Sequence, residues 1–297
     1  MGEAFLRAVG FKTTLTVGRH MVNTPFANPA DAFLIPTLFE GISFNNQTIP
    51  YLSLSAHYLT KIKDRPSNEF LNVGEFSANR LGIPTEKTKG TIIGNATYTI
   101  GTLSLEGWFY QFADLFNMGL VQANYDFPEI HGLRIYLGAQ GVLQKDEGRR
   151  LLGVVDTLAY GLKIGAVKGP AELILSYNSV SDRPDAFRNG AILAPYSFSN
   201  TTLFTNNIVS SLENSDSGDV YKALLSYRVA PNLTFLVSHA VFKFNNKADV
   251  SETDIDWRYG LDRIAKGLSF RNRIGIITSD TKGSDMLDIR VQFEYLF

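Results

Sequence analysis

The 297-residue sequence contains no cysteine. That excludes a disulfide framework, a cysteine-ligated metal centre and a thiol nucleophile, and it is compatible with an oxidising compartment. No apolar run approaches the roughly eighteen residues of a membrane-spanning helix. A net charge of −1 provides no general electrostatic case for nucleic-acid binding. Histidine is scarce: His20, His57, His131 and His239 are the four present, and none forms a metal-ligating pair at helical spacing. Neither a G-x-S-x-G elbow nor a Walker sequence occurs. The tract ENSDSGD (213–219) lacks the full ligand pattern and closing Glu of a calcium loop. The opening MGEAFLRAVGFKTTL lacks the regions of a secretory signal. Gly2 is not followed by the Ser or Thr of a myristoylation site.

What the chain does have is alternation. Hydrophobic residues make up 44% and aromatic residues 12%, which argues against disorder. The last residues, DMLDIRVQFEYLF (285–297), place Leu287, Ile289, Val291, Phe293, Tyr295 and Phe297 on one face of a strand. Asp288, Arg290, Gln292 and Glu294 take the other. The same period recurs, interrupted by Gly, Pro, Asn and Asp clusters. It predicts fifteen strands, near 3–10, 13–20, 39–47, 50–61, 89–100, 102–112, 116–126, 131–144, 151–166, 170–180, 218–228, 232–245, 251–260, 267–278 and 285–297. Short turns such as VKGP (167–170) and APN (230–232) contrast with the long connectors 62–88 and 181–217. Sorted loops and an apolar face on strand after strand, broken at Asn272, predict an all-β fold, a single antiparallel transmembrane β-barrel with its charged face on the lumen. A terminal alternating strand ending on an aromatic also resembles the insertion signal of bacterial outer-membrane proteins.

Basic residues carry the expected chemistry. If 278 and 285 face each other across the last hairpin, Arg273 lies opposite Arg290, and Arg271 opposite Gln292. Like charges opposed on a sheet are destabilising, so the cluster makes sense where an anion visits. Arginine keeps its proton and offers a planar fork to a carboxylate. Arg134, Lys163, Arg258, Lys222, Arg228, Lys61 and Arg7 share the lumen parity and extend the candidate substrate pathway. The competing reading is ion-paired wall filler, with Asp256, Asp288 and Glu294 as the neutralising partners. The connector 21–38 contains Pro25, Pro29 and Pro36 together with Met21, Phe26, Phe33, Leu34 and Ile35. Stiff and sparsely charged, it suits a loop folded into the lumen, with Pro29 and Phe33 in the constriction and Arg19 and Asp31 flanking it. An ordinary surface loop is the alternative.

The segment LTVGRHMVNTPFANPADAFLIPTLFEGISF (15–44) resembles the constriction-loop region of the OprD family of porins. The shared pattern is a strand ending in Gly-Arg, then Thr-Pro, an Asn-Pro-x-Asp turn, and Ile-Pro-x-x-Phe-Glu-Gly leading into the next strand. Residues 252–297 are similar to the family's C-terminal end, with Lys-Gly-Leu-Ser, a basic penultimate strand and a final aromatic. The resemblance implies an eighteen-stranded bacterial outer-membrane barrel, a basic ladder on one pore wall, and passage of small solutes that often carry a carboxylate. If 21–38 is the third external loop, 13–20 is the fifth strand and 285–297 the eighteenth. Fifteen strands of an expected eighteen are then present, and the first three, with the signal peptide, are expected to be missing. No cofactor or metal is implied. The expected partners are outer-membrane lipid and lipopolysaccharide, small carboxylate-bearing or other polar solutes, and further copies in a homotrimer. Two other functional classes fit a barrel: an outer-membrane enzyme using His57, and a surface display or adhesion protein carrying 62–88 and 181–217.

Overall fold

The computed structural model describes residues 2–29 and 35–296. Its strands are β1 (Ala4–Gly10), β2 (Thr13–His20), β3 (Leu38–Asn46), β4 (Leu52–Lys63), β5 (Leu71–Asn72), β6 (Thr91–Ile100), β7 (Leu103–Phe112) and β8 (Phe116–Asp126). They continue as β9 (Leu133–Asp146), β10 (Asp156–Lys168), β11 (Ala171–Val180), β12 (Gly218–Ala230), β13 (Leu233–Phe244), β14 (Val250–Gly260), β15 (Leu268–Ser279) and β16 (Met286–Tyr295). All belong to one antiparallel sheet in chain order, with the two-residue β5 pairing only to β4. β1 bonds only to β2 and β16 only to β15, so the sheet is not closed among the described residues. An odd number of strands lies on that path, so β1 and β16 run in the same direction.

Each expected strand is present within a few residues of its anticipated limits. The largest shift is at β10, expected from 151 and found from Asp156. Residues 150–153 form a turn instead, with Gly153 N–H on Arg150 O at 2.7 Å and Leu151 N–H on Asp114 O at 3.0 Å. The connector 62–88 holds two unanticipated elements, β5 and the helix α1 (Val73–Leu81). A capping box starts the helix: Asn72 Oδ1 accepts from Gly74 N–H while the Glu75 carboxylate accepts from Asn72 N–H. Gly82, in the left-handed region at φ 77°, ends it.

The faces separate as alternation requires. Val291, Phe293 and Leu287 are 57%, 70% and 61% exposed on the outer face, while Arg290 and Gln292 are half-buried on the inner one. No described helix is long and apolar enough to cross a membrane. The outer face supplies the apolar surface instead, and the ladder satisfies the backbone.

The inner face is not uniformly polar. Towards the long-loop end it turns apolar: Phe112, Phe116, Met118, Val142 and Phe242 are all buried there. They form one cluster with Phe26 and Ala27 from the connector after β2, Phe76 from α1, and Ile192, Leu193 and Tyr196 from the connector after β11. Three connectors therefore fold into the sheet and pack on its inner wall.

Candidate functional site

The β14–β16 register sets the basic cluster. Arg273 pairs with Arg290 and Arg271 with Gln292 across one hairpin, while Asp256 pairs with Arg273 and Arg258 with Arg271 across the other. Asp256 serves two guanidinium groups, with Arg271 Nη2 at 2.6 Å and Arg273 Nε at 3.4 Å. Arg290 Nε lies 2.7 Å from Asp288 Oδ1, and Arg258 Nη2 lies 3.2 Å from Glu294 Oε2. Carboxylates thus line the arginines, with Asp256 beside Arg271 and Arg273 and Asp288 beside Arg290.

Other basic residues are more dispersed. Lys163 lies over the Phe204 ring at 4.5 Å, a cation–π contact with the connector after β11. Arg134 and Arg228 are exposed near the short-turn end of the inner wall. Lys222 is half-buried and donates to Asn206 O. Beside the loop after β2, Glu40 accepts from Arg19 Nε at 2.9 Å and from Lys61 Nζ at 2.8 Å. The Arg19 guanidinium also covers the Phe70 ring at 4.5 Å.

The described parts of that loop are tied inward. Phe26 meets Tyr110 edge-on at 5.9 Å, and Phe26 N–H donates to Tyr110 Oη at 3.2 Å. Thr37 N–H donates to Pro29 O at 2.8 Å, drawing the two flanks together. Asp31 and Phe33 lie outside the described residues.

The connector after β11 runs across the inner space as a strap. Gln144 grips Leu193 at both backbone groups, with Nε2 to Leu193 O at 2.7 Å and Leu193 N–H to Oε1 at 2.8 Å. Tyr196 and Thr91 share a hydroxyl bond of 2.6 Å. Glu213, buried within the strap, accepts from Ser199 N–H at 3.2 Å, Thr201 N–H at 3.0 Å and Asn206 Nδ2 at 2.7 Å. The far end docks on two inward carboxylates. Glu252 accepts from Val209 N–H at 2.9 Å and Ser210 N–H at 2.6 Å, and Asp254 from Ile208 N–H at 3.2 Å. Arg290 Nη2 reaches Ile208 O at 3.4 Å, so the strap touches the basic cluster.

Sequence reasoning had named Asp256 but passed over Glu252 and Asp254. The signal was there: SETDIDW places all three acids at period two on the inner face.

His57 does not stand alone. Its Nδ1 lies 2.8 Å from Ser43 Oγ, which lies 2.6 Å from His20 Nε2. His20 Nδ1 faces Gly18 O at 3.0 Å. Ser43 is only 4% exposed, and no described carboxylate bonds to either imidazole, unlike a Ser-His-acid triad.

Comparisons with known proteins agree with this architecture. No curated protein matches the chain. Among solved structures, Pseudomonas aeruginosa OccK8 (OprE) superposes with a TM-score of 0.80 at 16% identity, over 98% of this chain and 78% of that one. Pseudomonas aeruginosa OpdK with vanillate gives 0.78 at 16%, over 96% and 75%. Acinetobacter baumannii OccAB3 gives 0.78 at 18%, over 97% and 75%. At such identities the likeness shows a shared fold, that of porin barrels. The family is shown by the sequence, which matches the model described as outer membrane porin, OprD family, over residues 2–297. The chain therefore belongs to the OprD family, channels of the bacterial outer membrane for small solutes.

Proposed function

We propose that this porin passes small polar solutes by passive diffusion and favours those that carry a carboxylate. The observation that carries the reading is Arg273 facing Arg290 on the inner wall, with Arg271 on the same strand two residues away. Arranged this way, the guanidinium groups offer a passing carboxylate a brief, exchangeable partner. Vanillate, bound in the OpdK structure, is itself a carboxylate, which supports the reading by likeness of fold.

Arg134, Lys163 and Arg258 extend the pathway along the same wall. Arg19 and Pro29, with Asp31 and Phe33, set the width where the loop after β2 enters. Lipopolysaccharide surrounds the long-loop rim, and the outer face provides the surface for a homotrimer. The test is the anion-to-cation permeability ratio in planar bilayers. Arg273→Ala combined with Arg290→Ala lowers it, and an unchanged ratio refutes the basic pathway.

A further inference from the structure

The wall formed by β1–β7 has a different chemistry. Two cavities meet there and share two lining residues, Trp108 and Asn23. One, of about 470 Å³, lies between the loop after β2 and the strap, and is lined by Thr24, Asn28, Asn200, Thr201 and Thr202. The other, of about 360 Å³, lies against the strands and is lined by Thr16, Ser43, Asn45, Ser53, Asn95 and His57. Both volumes fall in the ~300–1,000 Å³ range of small-molecule sites.

Hydroxyls, amides and imidazoles dominate these linings. The two charged residues among them are each engaged: Glu106 Oε2 accepts from Trp108 Nε1 at 3.2 Å, and Arg7 Nε donates to Thr16 Oγ1 at 3.2 Å. Arg271, Arg273 and Arg290 line neither cavity. The two imidazoles and the Ser43 hydroxyl form one hydrogen-bonded chain. If His20 Nδ1 donates to Gly18 O, its Nε2 accepts from the Ser43 hydroxyl, whose oxygen in turn accepts from His57 Nδ1.

Trp108 supplies the apolar platform. Its ring stacks on Tyr110 at 6.2 Å with planes 25° apart, and its N–H is anchored on Glu106, so the indole is held in place. A rigid aromatic face beside many paired donors and acceptors matches a sugar ring, which offers a C–H face for stacking and hydroxyls that both donate and accept. A simple alkyl carboxylate has neither the ring face nor the hydroxyls.

We propose that the Trp108 platform is a binding subsite for a monosaccharide-sized, polyhydroxylated solute. The ring hydroxyls are what the subsite reads, so a neutral sugar and a sugar acid both occupy it. The proposal rests on the channel and not on the carboxylate preference.

The chain's two tryptophans make the test direct. Trp257 stacks on Phe235 at 6.0 Å on the outer face, away from both cavities. A Trp257→Phe protein in detergent micelles therefore reports Trp108 emission alone. Glucose and gluconate are expected to change it saturably in the millimolar range, and hexanoate to leave it flat. In liposome swelling, Trp108→Ala is expected to slow glucose entry about two- to tenfold, the range of one aromatic contact, with Trp108→Phe closer to the parent. Arg273→Ala is expected to leave the glucose titration unchanged, which separates this subsite from the basic cluster. No saturable response to glucose, or an equal response to hexanoate, overturns the proposal even if anion preference is confirmed.

Discussion

Asp256 offers a test of sign as well as of size. It is the shared partner of Arg271 and Arg273, at 2.6 and 3.4 Å, so removing its charge alters the cluster without deleting an arginine. Asp256→Asn makes this wall more positive by one charge, and the Arg273→Ala, Arg290→Ala pair makes it less positive by two. A unit charge about 6 Å from a passing carboxylate contributes about 0.7 kcal/mol at the dielectric of bulk water, roughly a threefold change in local anion population. The effect grows where the wall lowers the effective dielectric. Reversal potentials across a potassium chloride gradient measure it. Asp256→Asn is expected to raise the anion-to-cation ratio about threefold near 0.1 M salt, where the Debye length is about 10 Å, and much less near 1 M, where it is about 3 Å. Heat-modifiable mobility on denaturing gels checks that the variant is folded. A fall in anion preference, or a rise that ignores salt, would show that these arginines do not set the field in the lumen.

Glu252 is fully buried and holds the strap by two backbone N–H groups, so Glu252→Ala removes charged hydrogen bonds that contribute about 1.5–3 kcal/mol each. Single-channel traces should show current fluctuations about ten- to a hundredfold more frequent than in the parent, and quiet traces would mean that other contacts hold the strap. Gly41 sits at the β3–β4 register shift, where an added Cβ would fall on Tyr58 O. Gly41→Ala is expected to cost about 2–3 kcal/mol, read as a lower temperature for the gel-mobility transition, and an unchanged transition would refute the close approach. The turn after β13 has an acid-sensitive latch: Asp249 bonds Lys243 Nζ at 2.6 Å and Phe244 N–H at 3.1 Å. The Lys243 bond holds the Asp249 carboxyl below its ordinary value. For a carboxyl lowered by folding, the stabilisation is present above the unfolded-state value and is lost as pH falls through the folded one. Amide exchange in 245–249 should therefore accelerate, relative to Asp249→Asn, only once pH drops below the ordinary aspartate range.

The strands were legible because the bilayer imposes one demand on every outer residue, and period-two alternation records it along the whole chain. Register was legible for the same reason: a slip of one residue turns an entire row to the wrong solvent, so short turns and facing rows fix Arg273 against Arg290. The inner wall obeys no such single demand, because its partner is water in one place and a folded-in connector in another. In β8 the inner row runs from Asn124 and Gln122 to Leu120, Met118 and Phe116, and the polar members become apolar where loops cover them. At that end the outer row is Asn117, Gly119 and Val121, so the inner row against the plug is the more apolar and alternation no longer marks the lipid face. Fading alternation towards the long-loop end is thus itself a signal that connectors fold inward, and β13, with Val241 outside and Ala240 and Phe242 buried inside, repeats it. Which connector covers which row is set by single contacts such as Gln144 with Leu193 and Glu252 with Ser210, and these join residues 49 and 42 positions apart. Pairings of that kind leave no periodic trace. The pore's wall could be read from the sequence, whereas the contacts that narrow the pore could be read only from the fold.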